Sequence, residues 1–165
     1  MNIRHASGVL FLTLFTLFSS TVFSIEPNFP LGPNPILTPG KICDKPASYR
    51  YPEHVAYCGR DVSYETKEIL IENYDEKLGF HIQNMDRADF KIDHYIPLCA
   101  GGSNDTSNLW PQNKYVYGIT DPVEPLVCEK MAAGRLKQID AIKLIVRAKN
   151  NLNQVNDVIK ILNSL

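Results

Sequence analysis

The chain has no CxxC pair, no surplus of basic charge and no internal repeat in its 165 residues. Without a CxxC pair, a zinc ribbon or knuckle has no ligand spacing to build on. With 17 Lys and Arg against 18 Asp and Glu, the formal net charge is −1. The chain as a whole is therefore no polybasic nucleic-acid binder, and any contact with DNA or RNA must come from a local patch. A composition of 44% apolar and 21% charged residues, with 9 Gly and 11 Pro, excludes wholesale disorder, collagen and coiled coil. The length suits one domain, large enough to bury a core of its own.

The first 24 residues stand apart. Arg4 is their only Lys, Arg, Asp or Glu, and Gly8 to Phe18 is an apolar run of the length of a signal-peptide core. Val22-Phe23-Ser24 offers a cleavage site, and Thr and Ser interrupt the run too often for a good transmembrane helix. Residues 1–24 read as a signal peptide and the protein as exported, periplasmic or secreted, with no stable membrane insertion after cleavage. Four cysteines follow: Cys43, Cys58, Cys99 and Cys128. In an exported chain an even count reads as disulfides, with three pairings open. The expected pairing is Cys43–Cys58, tying an N-terminal arm to the domain, and Cys99–Cys128, tying a hairpin to the helix after it.

Residues 25–40 hold five Pro, which exclude a helix and predict an extended arm. Residues 41–165 read as one domain. Residues 41–61 are expected to be irregular and stapled. A helix is predicted from a cap at Asp61 or Ser63 to Gly79, with Ile69, Leu70, Tyr74 and Leu78 as its apolar stripe. Phe90 to Ile96 and Leu109-Trp110 predict two short strands of a hairpin, stopped by Pro97 and Pro111, around the turn-rich loop Gly101-Gly102-Ser103-Asn104-Asp105. Further helices are predicted over about 121–133 and 137–149, with a fourth in the tail from Asn151. The fold class is α+β: a small β-hairpin plus helix with flanking helices, disulfide-stapled.

The chemistry-bearing stretch is residues 90–113, FKIDHYIPLCAGGSNDTSNLWPQN. Asp93 and His94 close the first strand, and Asn108 opens the second. Asp93 offers oxygen to a hard divalent cation. His94, titrating near neutrality, can deprotonate a water. Asn108, across the hairpin, can hold the imidazole through its amide. These parts suit phosphodiester hydrolysis, which needs an activated water and a cation to offset developing negative charge.

The run Asp93-His94-Tyr95-Ile96-Pro97-Leu98, with Gly101-Gly102-Ser103-Asn104-Asp105 and Asn108-Leu109-Trp110-Pro111-Gln112, resembles a branch of the HNH endonuclease family. Gly59-Arg60-Asp61-Val62 and Ala133-Gly134-Arg135-Leu136 extend the resemblance to about 58–149. It implies a ββα-metal core, with Asp93 a metal ligand, His94 the general base and Asn108 the residue that positions it. Where many relatives carry a third catalytic side chain, this sequence has Val116 and Tyr117. The branch's Lys-Asp-x-x-Glu element reads Thr120-Asp121-Pro122-Val123-Glu124, without the Lys. Asp121 and Glu124, three apart on one expected helix face, become the remaining metal ligands, with Asn113 a weaker alternative. The implied cofactor is one divalent ion, Mg²⁺, with Mn²⁺ as the substitute.

From Glu129 onward seven basic residues meet three acidic ones, so the C-terminal part carries the positive excess. Arg135 and Lys137 are the candidates for substrate phosphate, a sequence-independent contact. The reading is an exported metal-dependent endonuclease acting on DNA with little sequence preference. The alternative is a disulfide-stapled binding protein on a nuclease scaffold that has lost its ligands.

Overall fold

The structure is a computed structural model that describes residues 27–165. The expected signal peptide lies outside the described residues. Among the described residues, two antiparallel hairpins and five α-helices form a mixed α+β fold. The pairs are β1 (Ser48–Arg50) with β2 (Val55–Tyr57), and β3 (Phe90–His94) with β4 (Leu109–Asn113). The helices are α1 (Tyr64–Leu78), α2 (Lys114–Thr120), α3 (Val123–Ala132), α4 (Gln138–Asn150) and α5 (Val155–Ser164).

Helix α1 begins and ends where its sequence says. Ser63 caps it, its hydroxyl accepting the Thr66 N–H at 3.1 Å. Gly79 ends it in the left-handed region at φ 75°. Its buried face is Leu70, Ile71 and Tyr74, whereas Ile69, expected in the stripe, is 45% exposed. The helix expected over 121–133 is α3, which follows Pro122, and a shorter helix that was not expected precedes it: Asn113 caps α2, which stops at Thr120. Pro122 has no N–H to extend the α2 ladder, so the chain restarts there. The segment expected to be irregular contains the β1–β2 hairpin, with Tyr51 and His54 at positive φ in its turn.

The β3–β4 register places Asp93 opposite Trp110 and His94 opposite Leu109. Pro111 was expected to stop the second strand but lies within it, opposite Ile92. A two-stranded ribbon leaves one edge of each strand unpaired, and there a proline is tolerated. The loop between the strands folds tightly. A Cβ on Gly102 would lie 1.8 Å from the Ile96 carbonyl oxygen, so no other residue fits.

The proline-rich segment packs against the domain rather than hanging free. Phe29 sets its ring edge-on to Phe90. Thr38 is fully buried, donating to the Leu109 carbonyl at 2.8 Å and bonding the Tyr74 hydroxyl at 2.8 Å. The Cys43 amide donates to Gly101 O, and Lys41 O accepts from the Ser103 amide. The disulfides are Cys43–Cys58 and Cys99–Cys128, the expected pairing. The first joins the arm to the chain just after β2, and the second joins the hairpin loop to α3.

The described residues form two cores. Leu70, Ile71, Tyr74, Phe90, Ile92, Leu109, Trp110 and Val116 form one, between α1 and the β3–β4 hairpin. Val123, Val127, Met131, Ile145, Val158 and Leu162 dominate the other, among α3, α4 and α5. Tyr95 belongs to the first and Ile96 to the second, so the chain passes between cores just after Asp93 and His94. Both side chains are thereby fixed by packing on either side. Among the described residues no helix is long and apolar enough to cross a membrane.

Candidate functional site

Consecutive residues of a strand face opposite sides, and Asp93 and His94 take separate partners. The Asp93 carboxylate, 9% exposed, accepts from the Lys149 ammonium at 2.6 Å. Lys149 reaches it from the end of α4, is 5% exposed, and also donates to the His94 carbonyl oxygen. Lys91 stands 3.7 Å from the other Asp93 oxygen and 2.7 Å from Asp121. Burial pushes the Asp93 carboxyl upward, but the adjacent Lys149 ammonium, helped by Lys91, outweighs it and holds the group below its ordinary value.

His94 is 4% exposed. Its Nε2 lies 2.9 Å from Asn104 Oδ1, and its Nδ1 lies 3.3 Å from Arg60 Nη1. Asn104 Nδ2 donates to the Gly59 carbonyl at 2.7 Å, and Arg60 Nη2 donates to the Ile92 carbonyl at 2.9 Å. Burial and the Arg60 charge disfavour the imidazolium, and the ring titrates below its ordinary value. The neutral ring is the form these surroundings favour.

The Asn108 carboxamide does not touch the imidazole. It is fully buried and closes the hairpin loop on itself: Oδ1 accepts the Ile96 amide at 2.9 Å, and Nδ2 donates to Ile96 O at 3.0 Å and Ser103 O at 2.9 Å. The expectation that Asn108 holds the ring through its amide is therefore corrected. A side chain just before β4 faces the loop backbone, and Asn104, four residues earlier, meets the ring.

A cleft of about 430 Å³ opens beside Asp93, lined also by Arg60, Lys91, Asp121, Glu124 and Cys128. Asp121 and Glu124 do face one opening, though not from one helix, since Asp121 caps the end of α2 and Glu124 lies in the first turn of α3. Burial raises the Glu124 carboxyl above its ordinary value, against the pull of Lys149. Asn113 is engaged as the α2 cap, accepting from the Tyr115 amide. Asp93, Asp121 and Glu124 fit a hard divalent ion in donor chemistry. Asp93 is paired with Lys149 and Asp121 with Lys91, whose ammonium stands between the two carboxylates. Among the described residues, one trio of ligand-type residues brings its donor atoms within 4.8 Å of one another: Cys99, Glu124 and Cys128. Its two sulfurs are joined in a disulfide and offer no thiolate.

Arg135 and Lys137 do not line the cleft. Arg135 donates to the C-terminal Leu165 carbonyl, and Lys137 precedes α4 as its N-cap. Lys130 and Lys149, counted with them in the basic stretch, are buried and add nothing to an exposed patch. The cations lining the cleft are instead Arg60 and Lys91, with the buried Lys149 behind Asp93. Lys149 sits 56 residues from Asp93, and no local pattern marks it. Arg60 and Asn104 both lay inside motifs singled out above, without an assigned part.

Comparison with protein-family models, with curated proteins and with solved structures gave no match.

Proposed function

We propose that this protein is an exported, metal-dependent endonuclease of the HNH type that hydrolyses phosphodiester bonds of DNA with little sequence preference. One observation carries the reading. Asp93, next in the chain to His94, lines a cleft together with Asp121, Glu124 and Arg60, and the same Arg60 faces His94 Nδ1 at 3.3 Å. His94 Nδ1 takes the proton of a water as its oxygen attacks phosphorus. The P–O bond opposite breaks, and the leaving oxygen departs with the electron pair. Arg60, exposed and within the cleft, pairs with the phosphate, and in doing so leaves Nδ1 to the water. Asp93, Asp121 and Glu124 would hold the divalent ion, which when bound offsets the negative charge of the transition state. Two disulfides fit an oxidising compartment outside the cytosol.

A second reading has its own support. Lys149 and Lys91 already neutralise Asp93 and Asp121, and Arg60 caps His94. A scaffold of self-compensated charges is what a non-catalytic binding protein would retain. Plasmid nicking separates the two. The protein nicks supercoiled DNA with Mg²⁺ or Mn²⁺, stops with EDTA, and loses about 10²–10⁴-fold as His94→Ala with its fold intact. Undiminished cleavage by His94→Ala, or after thorough chelation, overturns the nuclease reading as stated. No cleavage under any metal favours the binding protein.

A further inference from the structure

We propose that Asn104 is the positioning residue of His94, fixing the ring as the Nε2–H tautomer and leaving Nδ1 as its basic nitrogen. The inference rests on the reading of His94 as a base only for its consequence; the tautomer follows from hydrogen-bond polarity alone. A carbonyl oxygen only accepts, so the Gly59 carbonyl requires the NH₂ end of the Asn104 carboxamide. That turns Oδ1 toward the ring. Oδ1 only accepts, so the ring nitrogen facing it at 2.9 Å carries the proton. On the other side, a guanidinium only donates, so Nδ1, facing Arg60 at 3.3 Å, is unprotonated. Two neighbours of opposite polarity, on opposite ring nitrogens, demand the same tautomer.

The surroundings keep both neighbours in place. Gly59 adopts φ 67°, a left-handed turn directly after Cys58, and from it the carbonyl meets Asn104 while the next residue, Arg60, meets the ring. The Arg60 guanidinium is itself anchored on the Ile92 carbonyl, two residues before the ring it faces. Asn104 sits in the loop that Asn108 closes, since Asn108 Nδ2 holds the carbonyl of Ser103, the residue before it. Asn108 thus acts one step removed, on the loop that carries the positioning group.

The test is the imidazole ¹⁵N spectrum of histidine-labelled protein above pH 8, with His94→Gln identifying the His94 signals. Wild type shows a protonated Nε2 and an unprotonated Nδ1. Asn104→Leu, similar in size but without an acceptor, loses that pattern and shows tautomer exchange. Asn104→Asp gives up the donor to the Gly59 carbonyl but keeps an acceptor toward Nε2 and restores the pattern, which a role in packing alone would not do. An Nδ1–H signal in wild type, or an unchanged His94 pattern in folded Asn104→Leu, overturns the proposal. Cleavage is measured on the same samples, and Asn104→Leu loses about 10²-fold in kcat with KM little changed, as misplaced groups do. If no sample cleaves while the spectra behave as stated, the nuclease reading fails and the positioning role stands.

Discussion

Replacing Lys149 with Met removes the main cation from Asp93 and leaves the carboxylate buried. The two side chains are similar in length, so α4 keeps its packing and the change is electrostatic. Stripping one partner from a buried ion pair costs about 3–5 kcal/mol, because the remaining charge has lost its water as well as its partner. Lys91, 3.7 Å from the second Asp93 oxygen, compensates in part, which places the expected loss at the lower end, about 3 kcal/mol. For a domain of this size that is a fall in Tm of about 10 °C. The pH dependence identifies the cause. In wild type the Asp93 carboxyl is held below its ordinary 3.8. Its contribution is therefore present above 3.8 and lost as pH falls through the lower folded value. In Lys149→Met burial acts with less opposition and the folded value moves up. The penalty is then full at pH 7 and shrinks as pH falls and Asp93 takes up a proton. Urea unfolding of both proteins between pH 4 and 8 measures it. Adding Asp93→Asn to Lys149→Met recovers most of the loss at pH 7. A Lys149→Met protein within 1 kcal/mol of wild type at pH 7, or a penalty that does not change with pH, refutes the reasoning.

Asn108→Ala strips three bonds from buried backbone groups and costs at least about 2 kcal/mol, at about 1–3 kcal/mol for each group left unpaired; chemical denaturation reads this directly. The loss is one of stability, so Asn108→Ala held well below its melting temperature keeps its His94 tautomer in the same ¹⁵N spectrum. Reducing Cys43–Cys58, which closes a loop of 15 residues, costs about 3 kcal/mol. Mass spectrometry of the unreduced protein shows no free thiol among these four cysteines.

What the sequence made legible was whatever short-range physics decides. The Ser63 cap, the Gly79 stop, the hairpin around Gly101-Gly102 and the even cysteine count each have a local cause, and each appears in the structure. The β1–β2 hairpin was hidden because its strands are three residues long and its turn puts Tyr51 and His54, not glycine, at positive φ. Helix α2 was hidden because seven residues are too few for a clear period. At the candidate site, Asp93 and His94 stood out by type and spacing. Their partners did not, because Lys149, Arg60 and Asn104 come from three separate segments that only tertiary packing brings together. Asn108 was the instructive error. Its residue type suited two jobs, and only the fold distinguishes holding a ring from closing a loop.

Cys58, Gly59 and Arg60 are consecutive, and they supply in turn a sulfur bridge, the acceptor that orients Asn104, and the donor on His94 Nδ1. Both neighbours of the imidazole thus hang on a short tether whose anchor is the arm at Cys43. Reducing the Cys43–Cys58 bridge is therefore expected to loosen that tether at the end nearest the ring, beyond its cost in stability.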